Sequence, residues 1–403
     1  MGERHIPLVI LMLLGLAAVA WGAGATSSGT DDVMIAAWKA HVLGNQRLVE
    51  CTDGEDICWL VTPYLRGMVL MGEARGDRES LDAFCRSFER LQAIASEDMD
   101  GLFGWPTRKG SYGREGPRCI IMDDAYIGEP VAHFARVVRA DAVLRAAYGE
   151  RADKYLRFIE ERIFPKWKDA WLDLGEKTTT LCWAEGGWRR AEVVFPEPAG
   201  VYRFFLAGRK LGTSLPLNQF LAVARTFLAY YDVTGKADYL DKARRMAVTA
   251  KYVYLAPAGD RLEPWCYWQP VWAGDFRSET EPARWVGPHP ERASYHASEV
   301  ATIAAMHQRG LVFTDADIHR LVRLHLDFMW NKSFDRPEFG YYYERRRMRY
   351  PAQLWDALAY FDPTIARLAA PQWTREVIER NAGRWAGITA VPEYLLRQRR
   401  NAE

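Results

Sequence analysis

The feature of this sequence that most limits its fold is a recurring pair of helical patterns joined by a short turn. Apolar residues recur at helical spacing along most of the chain, and almost no stretch alternates as a strand would. Glycine-containing turns such as Gly76-Asp77 and Thr234-Gly235 separate the members of a pair, as helix stop and start signals do. The pattern therefore predicts an all-α chain of helical hairpins. The predicted helices span 31–45, 63–75, 79–96, 123–140, 144–148, 151–168, 217–231, 237–254, 293–308, 315–330, 352–361, 373–385 and 392–399.

Long connections separate one helix pair from the next. They span 97–122, 169–215, 255–292 and 331–351. Loops longer than about 12–15 residues are uncommon unless they carry function. Because each connection links the end of one hairpin to the start of the next, we expect all of them on the same face. This rhythm predicts an (α/α)6-type toroid, a closed ring of hairpins, as a single domain over 26–403. A stacked helical solenoid is the alternative, although no repeat of fixed period is visible.

The first 25 residues have the organisation of a secretory signal. One arginine precedes an apolar run from 6 to 20, and Ala23-Gly24-Ala25 offers a small-residue cleavage site. An uncleaved membrane anchor is the alternative reading of the apolar run. We expect a secreted or periplasmic protein whose mature chain starts near Thr26 and does not contact a membrane.

The composition indicates a folded chain that binds sugars rather than nucleic acid. The sequence is 49% hydrophobic and 26% charged with a net charge of +1, which excludes disorder and gives no general attraction to nucleic acid. It contains 16 Trp, 19 Tyr and 17 Phe, and flat rings with a polar edge suit stacking on sugars. Six cysteines permit disulfides in an exported chain, and Cys51 with Cys58 is the one local candidate. Buried free thiols are an equally good reading.

Aromatic residues and arginines are interleaved in the long connections and at the start of the helix that follows one of them. Such sets stack on sugar rings and clamp carboxylates in a bidentate manner, so we expect an anionic oligo- or polysaccharide, most simply one containing a uronate. The alternative is that these side chains only pack the loops together. The candidate substrate-binding residues are Trp183, Trp188, Arg189, Trp268, Trp272, Arg292, Tyr342 and Arg346.

Two places combine titratable residues with the start of a helix. Asp123 and Asp124 open the helix predicted at 123–140, where one carboxylate is suited to act as a general acid. Stabilisation of the helix N-terminus is the alternative for these carboxylates. Tyr295 and His296 open a later helix and are candidates for base and acid in β-elimination from a uronate, or else for hydrogen-bonded wall residues.

Ordinary glycoside hydrolysis needs a second carboxyl group beside the acid. The candidates for that partner are Glu185, Asp275, Glu299 and Asp356. No spacing of histidine, cysteine and carboxylate indicates a metal site, and no motif indicates a cofactor.

The stretch from Asp123 to Pro130, Asp-Asp-Ala-Tyr-Ile-Gly-Glu-Pro, resembles the motif Asp-Gly-Leu-Tyr-Met-Ala-Glu-Pro of the unsaturated rhamnogalacturonyl and glucuronyl hydrolases. The resemblance implies a six-hairpin toroid that removes a 4,5-unsaturated uronic acid from oligosaccharides. It also implies that Asp123 is the general acid and base, which protonates the vinyl ether and directs water to C5. Tyr126 and Pro130 are then residues of the wall.

The sequence leaves three functions open. A glycoside hydrolase with an Asp acid is the first, and a polysaccharide lyase or uronyl epimerase that uses Tyr295 and His296 is the second. The third is a non-catalytic glycan-binding protein that uses only the aromatic face.

Overall fold

The computed structural model describes residues 28–109, 115–184, 187–255, 265–279, 281–286, 294–340, 347–349 and 354–402. The described chain is mostly helical, with about 65% of it in helices and 14% in strands, which confirms the predicted helical class. The segment predicted to be a signal lies outside the described residues. No helix in the described ranges is long and apolar enough to cross a bilayer.

The α-helices follow the predicted order closely. They are α1 Ser28–Val42, α2 Arg47–Glu50, α3 Gly54–Asp56, α4 Thr62–Arg75, α5 Arg78–Ile94, α6 Ile121–Ala140, α7 Ala142–Phe158, α8 Leu217–Thr234, α9 Ala237–Thr249, α10 Ser294–Gln308, α11 Asp315–Arg323, α12 Pro363–Ala369, α13 Arg375–Asn381 and α14 Gly387–Ala402. A 3₁₀ helix, Asp356–Tyr360, lies where the helix 352–361 was predicted.

Among the described residues, three of the longer helices end in a wider π-helical turn, and a fourth such turn, Ile57–Val61, lies between α3 and α4. Ile159–Ile163 continues α7, Ala250–Leu255 continues α9 and Leu324–Met329 continues α11. The apolar spacing runs through these turns, which explains why the sequence predicts a single longer helix at each place.

Short turns close the hairpins in the way that the sequence indicates. Gly76 ends α4 in the left-handed conformation, with φ of 64°, and Gly235 ends α8 with φ of 69°. Glycine adopts this conformation without a steric penalty. The Asp77 side chain then accepts a hydrogen bond of 3.0 Å from the Ser80 backbone N–H and starts α5.

The first helices of successive hairpins pack against one another in series. Helix α4 contacts α14 and α6, α6 contacts α8, α8 contacts α10, and α10 contacts the 3₁₀ helix. The second helix of each hairpin packs behind its own partner, as α5 does on α4, α7 on α6 and α9 on α8. The sequence explains why the first helices lie inside, because a helix that is apolar all round must be buried. Helix α8 is buried on nearly every side from Leu217 to Leu228.

The two ends of the described chain pack together. The Trp38 indole of α1 donates a hydrogen bond of 2.9 Å to the Ile388 carbonyl of α14. Trp38 is buried in a hydrophobic cluster that also contains residues of α4, α5, α6, α7 and α14. A second cluster joins α8, α9 and α10 to the segment 195–204.

The connection 169–215 is a β-sheet, so the prediction that the chain has almost no strands is wrong there. Strands β3 Trp171–Ala184 and β4 Gly187–Phe205 form an antiparallel pair, and β5 Leu211–Ser214 adds to β4. Strand β4 packs against α9, which makes the sheet part of the core. The remaining strands form short antiparallel pairs: β1 Ser96–Glu97 with β2 Phe103–Gly104, and β6 Glu338–Gly340 with β7 Arg347–Arg349.

Three of the long connections contact one another. The Gly208 N–H donates to Asp100 Oδ1 at 3.0 Å, which joins 169–215 to 97–122. The Ser214 hydroxyl donates to Asp275 Oδ2 at 2.7 Å, which joins 169–215 to 255–292. The connection 169–215 thus contacts two of the other long connections.

Cys51 and Cys58 are free thiols and do not form a disulfide with each other. Cys58, Cys85, Cys119 and Cys266 are buried, and burial raises the pKa of the Cys58 thiol well above its ordinary value. These cysteines are therefore small apolar residues of the interior, which was the alternative reading of the sequence.

Candidate functional site

Asp123 lies in the first turn of α6 and is completely buried, with 0% of its surface exposed. The Thr107 hydroxyl donates a hydrogen bond of 2.9 Å to Asp123 Oδ2. Within the described part of the chain, no nitrogen or oxygen donor bonds to Asp123 Oδ1, and the Cys58 thiol is a neighbour of the carboxyl group. One carboxyl oxygen is thus held in place and the other has little to stabilise a negative charge.

Burial and the charge of Asp124 together raise the pKa of Asp123 to about 7, although the hydrogen bond from Thr107 acts in the opposite direction. Desolvation disfavours the ionised form of a carboxyl group, and a neighbouring carboxylate has the same effect. Near neutral pH, a substantial fraction of Asp123 is therefore protonated, which is the form that a general acid requires.

Asp124 is as buried as Asp123 but has ionic partners. Lys166 Nζ lies 2.7 Å from Asp124 Oδ2, and the Trp167 indole donates to the same oxygen at 2.8 Å. Burial still raises the pKa of Asp124, although the charge and hydrogen bond of Lys166 oppose this rise. The two adjacent aspartates thus differ: Asp124 anchors the segment that carries Lys166, whereas no cation among the described residues is bonded to Asp123.

Tyr295 and His296 lie at the start of α10, against aromatic rings. Tyr295 stacks on Tyr267 with 5.8 Å between ring centroids. His296 is buried, with its ring centroid 4.9 Å from that of Trp265 and 5.9 Å from that of Trp355. His296 therefore packs against two tryptophan rings at the start of α10.

Glu299 lies one turn after His296 and is also buried. The Trp265 indole donates a hydrogen bond of 2.6 Å to Glu299 Oε2. Burial raises the pKa of Glu299 to about 8, whereas the charge of His296 and the Trp265 hydrogen bond lower it. Glu299 is thus a second buried carboxyl group that binds its proton near neutral pH.

The two predicted tryptophans of the connection 255–292 have structural partners. Trp268 is buried, and its indole donates to the Ser214 carbonyl at 3.0 Å. Trp272 is half-buried, and its indole donates to Asp275 Oδ1 at 2.9 Å. Asp275 also accepts from the backbone N–H of Ser214 and of Val271, so this carboxylate organises the loop.

The other predicted substrate-binding residues lie in or near segments outside the description. The backbones of Trp183 and Trp188 pair across β3 and β4, but their side chains lie outside the described residues. Arg189 is exposed on β4. Arg292, Tyr342, Arg346 and the candidate partner Glu185 lie outside the described residues, whereas Asp356 lies at the exposed start of the 3₁₀ helix.

A charged network between the first helices of the hairpins was missed by the sequence analysis. Glu129 of α6 pairs with Arg66 of α4, and it accepts bonds of 2.9 and 3.0 Å from Arg225 of α8. Both guanidinium groups lie over the Tyr126 ring, at 5.1 Å for Arg66 and 5.6 Å for Arg225. The signal in the sequence was a single arginine within an apolar stretch, in α4 and again in α8.

The charge of Glu129 is strongly stabilised by this network. Burial favours the neutral acid, but the charges of Arg225 and Arg66 outweigh it and lower the pKa of Glu129 to about 2. Glu73 of α4 behaves in the same way, because His133 and Arg136 of α6 outweigh its burial and lower its pKa to about 2. These ion pairs link α4, α6 and α8.

No group of three or more His, Cys, Asp or Glu side chains within the described ranges is placed to hold a metal ion. No protein-family model matches the sequence, and no curated protein matches it.

Proposed function

We propose that the protein is an exported glycoside hydrolase that acts on uronate-containing oligo- or polysaccharides, with Asp123 as the general acid. The observation that carries the proposal is that Asp123 is a buried carboxyl group with a pKa of about 7, to which no cation of the described segments is bonded. A general acid is most effective when its pKa lies near the working pH. The resemblance of 123–130 to the unsaturated uronyl hydrolases suggests a specific reaction, the removal of a 4,5-unsaturated uronic acid.

In that form, Asp123 donates its proton to the vinyl ether of a 4,5-unsaturated uronyl group. The proton adds at C4, water adds at C5, and the same carboxylate takes up a proton from that water. The resulting hemiketal opens to a ketone at C5, and the hemiacetal left at C1 then releases the other sugar as an alcohol and becomes an aldehyde. A single carboxyl group is then sufficient, which fits a site where Asp124 is committed to Lys166. Asp123 has no exposed surface, so the proposal requires that a sugar displace the side chains that cover it.

We also propose that the hairpins close into a ring. The series of contacts from α14 through α4, α6, α8 and α10 to the 3₁₀ helix supports this arrangement. Arg397 of α14 lies near enough to Asp356 of the 3₁₀ helix for their charges to interact, which brings the two ends of the series together. Under this proposal the long connections form the rim over Asp123, and their aromatic rings and arginines hold the sugar.

The direct test follows the ultraviolet absorbance of the conjugated double bond during incubation with defined oligosaccharides. On unsaturated uronyl oligosaccharides we expect the absorbance to fall with the wild-type protein. Asp123→Asn should bind the same oligosaccharide but lower the rate at least 100-fold, as removal of a general acid does. The matched control is Asp153→Asn, the same change at a half-exposed position of α7.

Three results would reject the hydrolase. Unchanged turnover by Asp123→Asn removes the role of that carboxyl group. A rise in absorbance on saturated uronate polymers identifies a lyase. Binding without any reaction on a broad set of uronate glycans identifies a glycan-binding protein.

A further inference from the structure

A cavity of about 280 Å³ lies between α4, α6, α8 and the end of α10. His133 and Arg136 line it from the second half of α6, and Asp232 lines it from the last turn of α8. Asp123 is at the other end of α6, ten residues before His133, which is about 15 Å along a helix. Asp123 is not among the described residues that line the cavity, so the two places are separate.

The cavity wall is rich in guanidinium groups. Its arginines are Arg66, Arg136, Arg225 and Arg309. Two carboxylates share the wall with them, Glu129 and Asp232, and Glu73 pairs with Arg136 at 2.9 Å. Four guanidinium groups thus face three carboxylates, so the described arginines and carboxylates leave an excess of one positive charge.

Part of the donor capacity of these arginines remains available. Both hydrogen bonds of Arg136 to Glu73 use Nη2 alone, and 37% of the Arg136 side chain is exposed. Arg309, in the turn after α10, donates from Nη2 to Asp232 at 2.8 Å and from Nη1 to the Ala305 carbonyl of α10. A guanidinium group has five N–H donors in a fork that matches a carboxylate.

The rest of the wall is apolar. Leu70, Pro130, Leu228, Ala229 and Ala305 line it. Small-molecule sites usually combine a mostly apolar wall with a few polar groups that orient the ligand. A volume of about 280 Å³ is at the low end for such sites, which fits a molecule of monosaccharide size rather than a longer chain.

The charge of the cavity selects among anions. An excess of one positive charge is balanced by a monocarboxylate, whereas a doubly charged phosphate would add uncompensated negative charge. The last turns of α6, α8 and α10 present the negative ends of their helix dipoles nearby, which disfavours the second charge further.

We propose that this cavity binds a small monocarboxylate of monosaccharide size, such as a free sugar acid, with its carboxylate on Arg136 and Arg309 and its carbon skeleton on the apolar wall. The site does not depend on the hydrolase activity proposed above, because it rests on a different set of residues.

The test is isothermal titration calorimetry of the full chain with sodium D-glucuronate. Glucose, which lacks the carboxylate, and inorganic phosphate serve as comparison ligands at the same ionic strength. We expect glucuronate to bind, glucose to give no detectable heat, and phosphate to bind at least ten-fold more weakly. Failure of glucuronate to bind, or equal binding of phosphate, would overturn the proposal.

Two variants locate the binding site. Ala229→Leu fills the cavity and leaves every charge in place, and its control is Ala146→Leu on the exposed face of α7. Arg309→Gln removes one guanidinium group, and its control is Arg323→Gln on the exposed face of α11. We expect each cavity variant to weaken glucuronate binding about ten-fold or more, since a charge-assisted hydrogen bond is lost or blocked.

Thermal unfolding without ligand shows which variants are folded. If one of the two cavity variants does not fold, the other still tests the site. Asp123→Asn should bind glucuronate as the wild type does, and loss of glucuronate binding in Ala229→Leu and Arg309→Gln separates this site from the proposed catalytic one. Wild-type affinity in a folded Ala229→Leu protein would contradict a site in this cavity, as would loss of binding in Asp123→Asn.

Discussion

Replacement of Glu129 by glutamine is expected to destabilise the protein strongly and in a pH-dependent manner. Glu129 has an ordinary pKa of 4.5, which its two arginine partners lower to about 2 in the folded protein. A shift of this size corresponds to about 3 kcal/mol of stability at pH 7. Loss of the charge also leaves Arg66 and Arg225 close together over the Tyr126 ring with no counter-ion.

The sign of the pH dependence follows from the direction of the shift. A carboxyl group with a lowered folded-state pKa contributes its full stability above its unfolded pKa, here 4.5, and loses it as the pH falls toward 2. The difference in unfolding free energy between wild type and Glu129→Gln should therefore be about 3 kcal/mol at pH 7 and about 1.5 kcal/mol at pH 3.

Urea denaturation at pH 7, 5 and 3 measures this difference. Glu79→Gln is the matched control, because Glu79 pairs with Lys39 at 2.8 Å on the surface and should change the free energy of unfolding by less than about 1 kcal/mol. A Glu129→Gln protein within 0.5 kcal/mol of the wild type at pH 7, on the order of the error of such measurements, would refute the reasoning. A difference that stays constant from pH 7 to pH 3 would refute it equally.

Two further predictions concern stability. Asp124→Asn should lower the free energy of unfolding by about 3 kcal/mol in urea denaturation, because it leaves the buried Lys166 without its carboxylate, and Asp153→Asn should change it by less than about 1 kcal/mol. Burial lowers the pKa of His325 from 6.5 to about 3, so the protein should lose about 2 kcal/mol as the pH falls from 7 to 5 through this residue alone. His325→Phe keeps an aromatic ring between Phe339 and Trp355 and should remove that part of the acid sensitivity; an unchanged pH dependence would contradict this assignment.

The helical part of the fold was predictable because its signals are local. Periodic apolar residues and glycine caps such as Gly76 and Gly235 specify where each helix begins and ends. The short turns within each hairpin then indicate which two helices form a pair.

The sheet in 169–215 was missed although a signal for it exists. Threonines at 178–180 and valines at 193 and 194 favour strands, and Gly186-Gly187 between them is typical of a hairpin turn. The signal is weak because tryptophans, arginines and prolines interrupt the alternation of polar and apolar residues. Contacts of the sheet with α9 and with the connection 255–292 stabilise it, and these contacts are not visible in the local sequence pattern.

The candidate site was predictable only in part. The sequence pointed to Asp123 and Asp124 as a pair, but it had no means to tell which of them Lys166 neutralises, because that lysine lies 42 residues beyond Asp124. The network of Glu129, Arg66 and Arg225 is assembled from three helices that are distant in sequence. Tertiary packing determines such partners. Their only signal in the sequence is a charged residue within an apolar helix, and that signal is weak.

The central claim, that Asp123 acts as a protonated acid, is tested most directly by the pH dependence of turnover on an unsaturated uronyl oligosaccharide. A general acid with a pKa of about 7 in the free enzyme must carry its proton to react, so kcat/KM should fall as the pH rises through about 7. The account predicts this falling limb in the wild type and its absence from the residual activity of Asp123→Asn. A rate that stays constant from pH 5 to pH 9, or a falling limb that persists in Asp123→Asn, would contradict it.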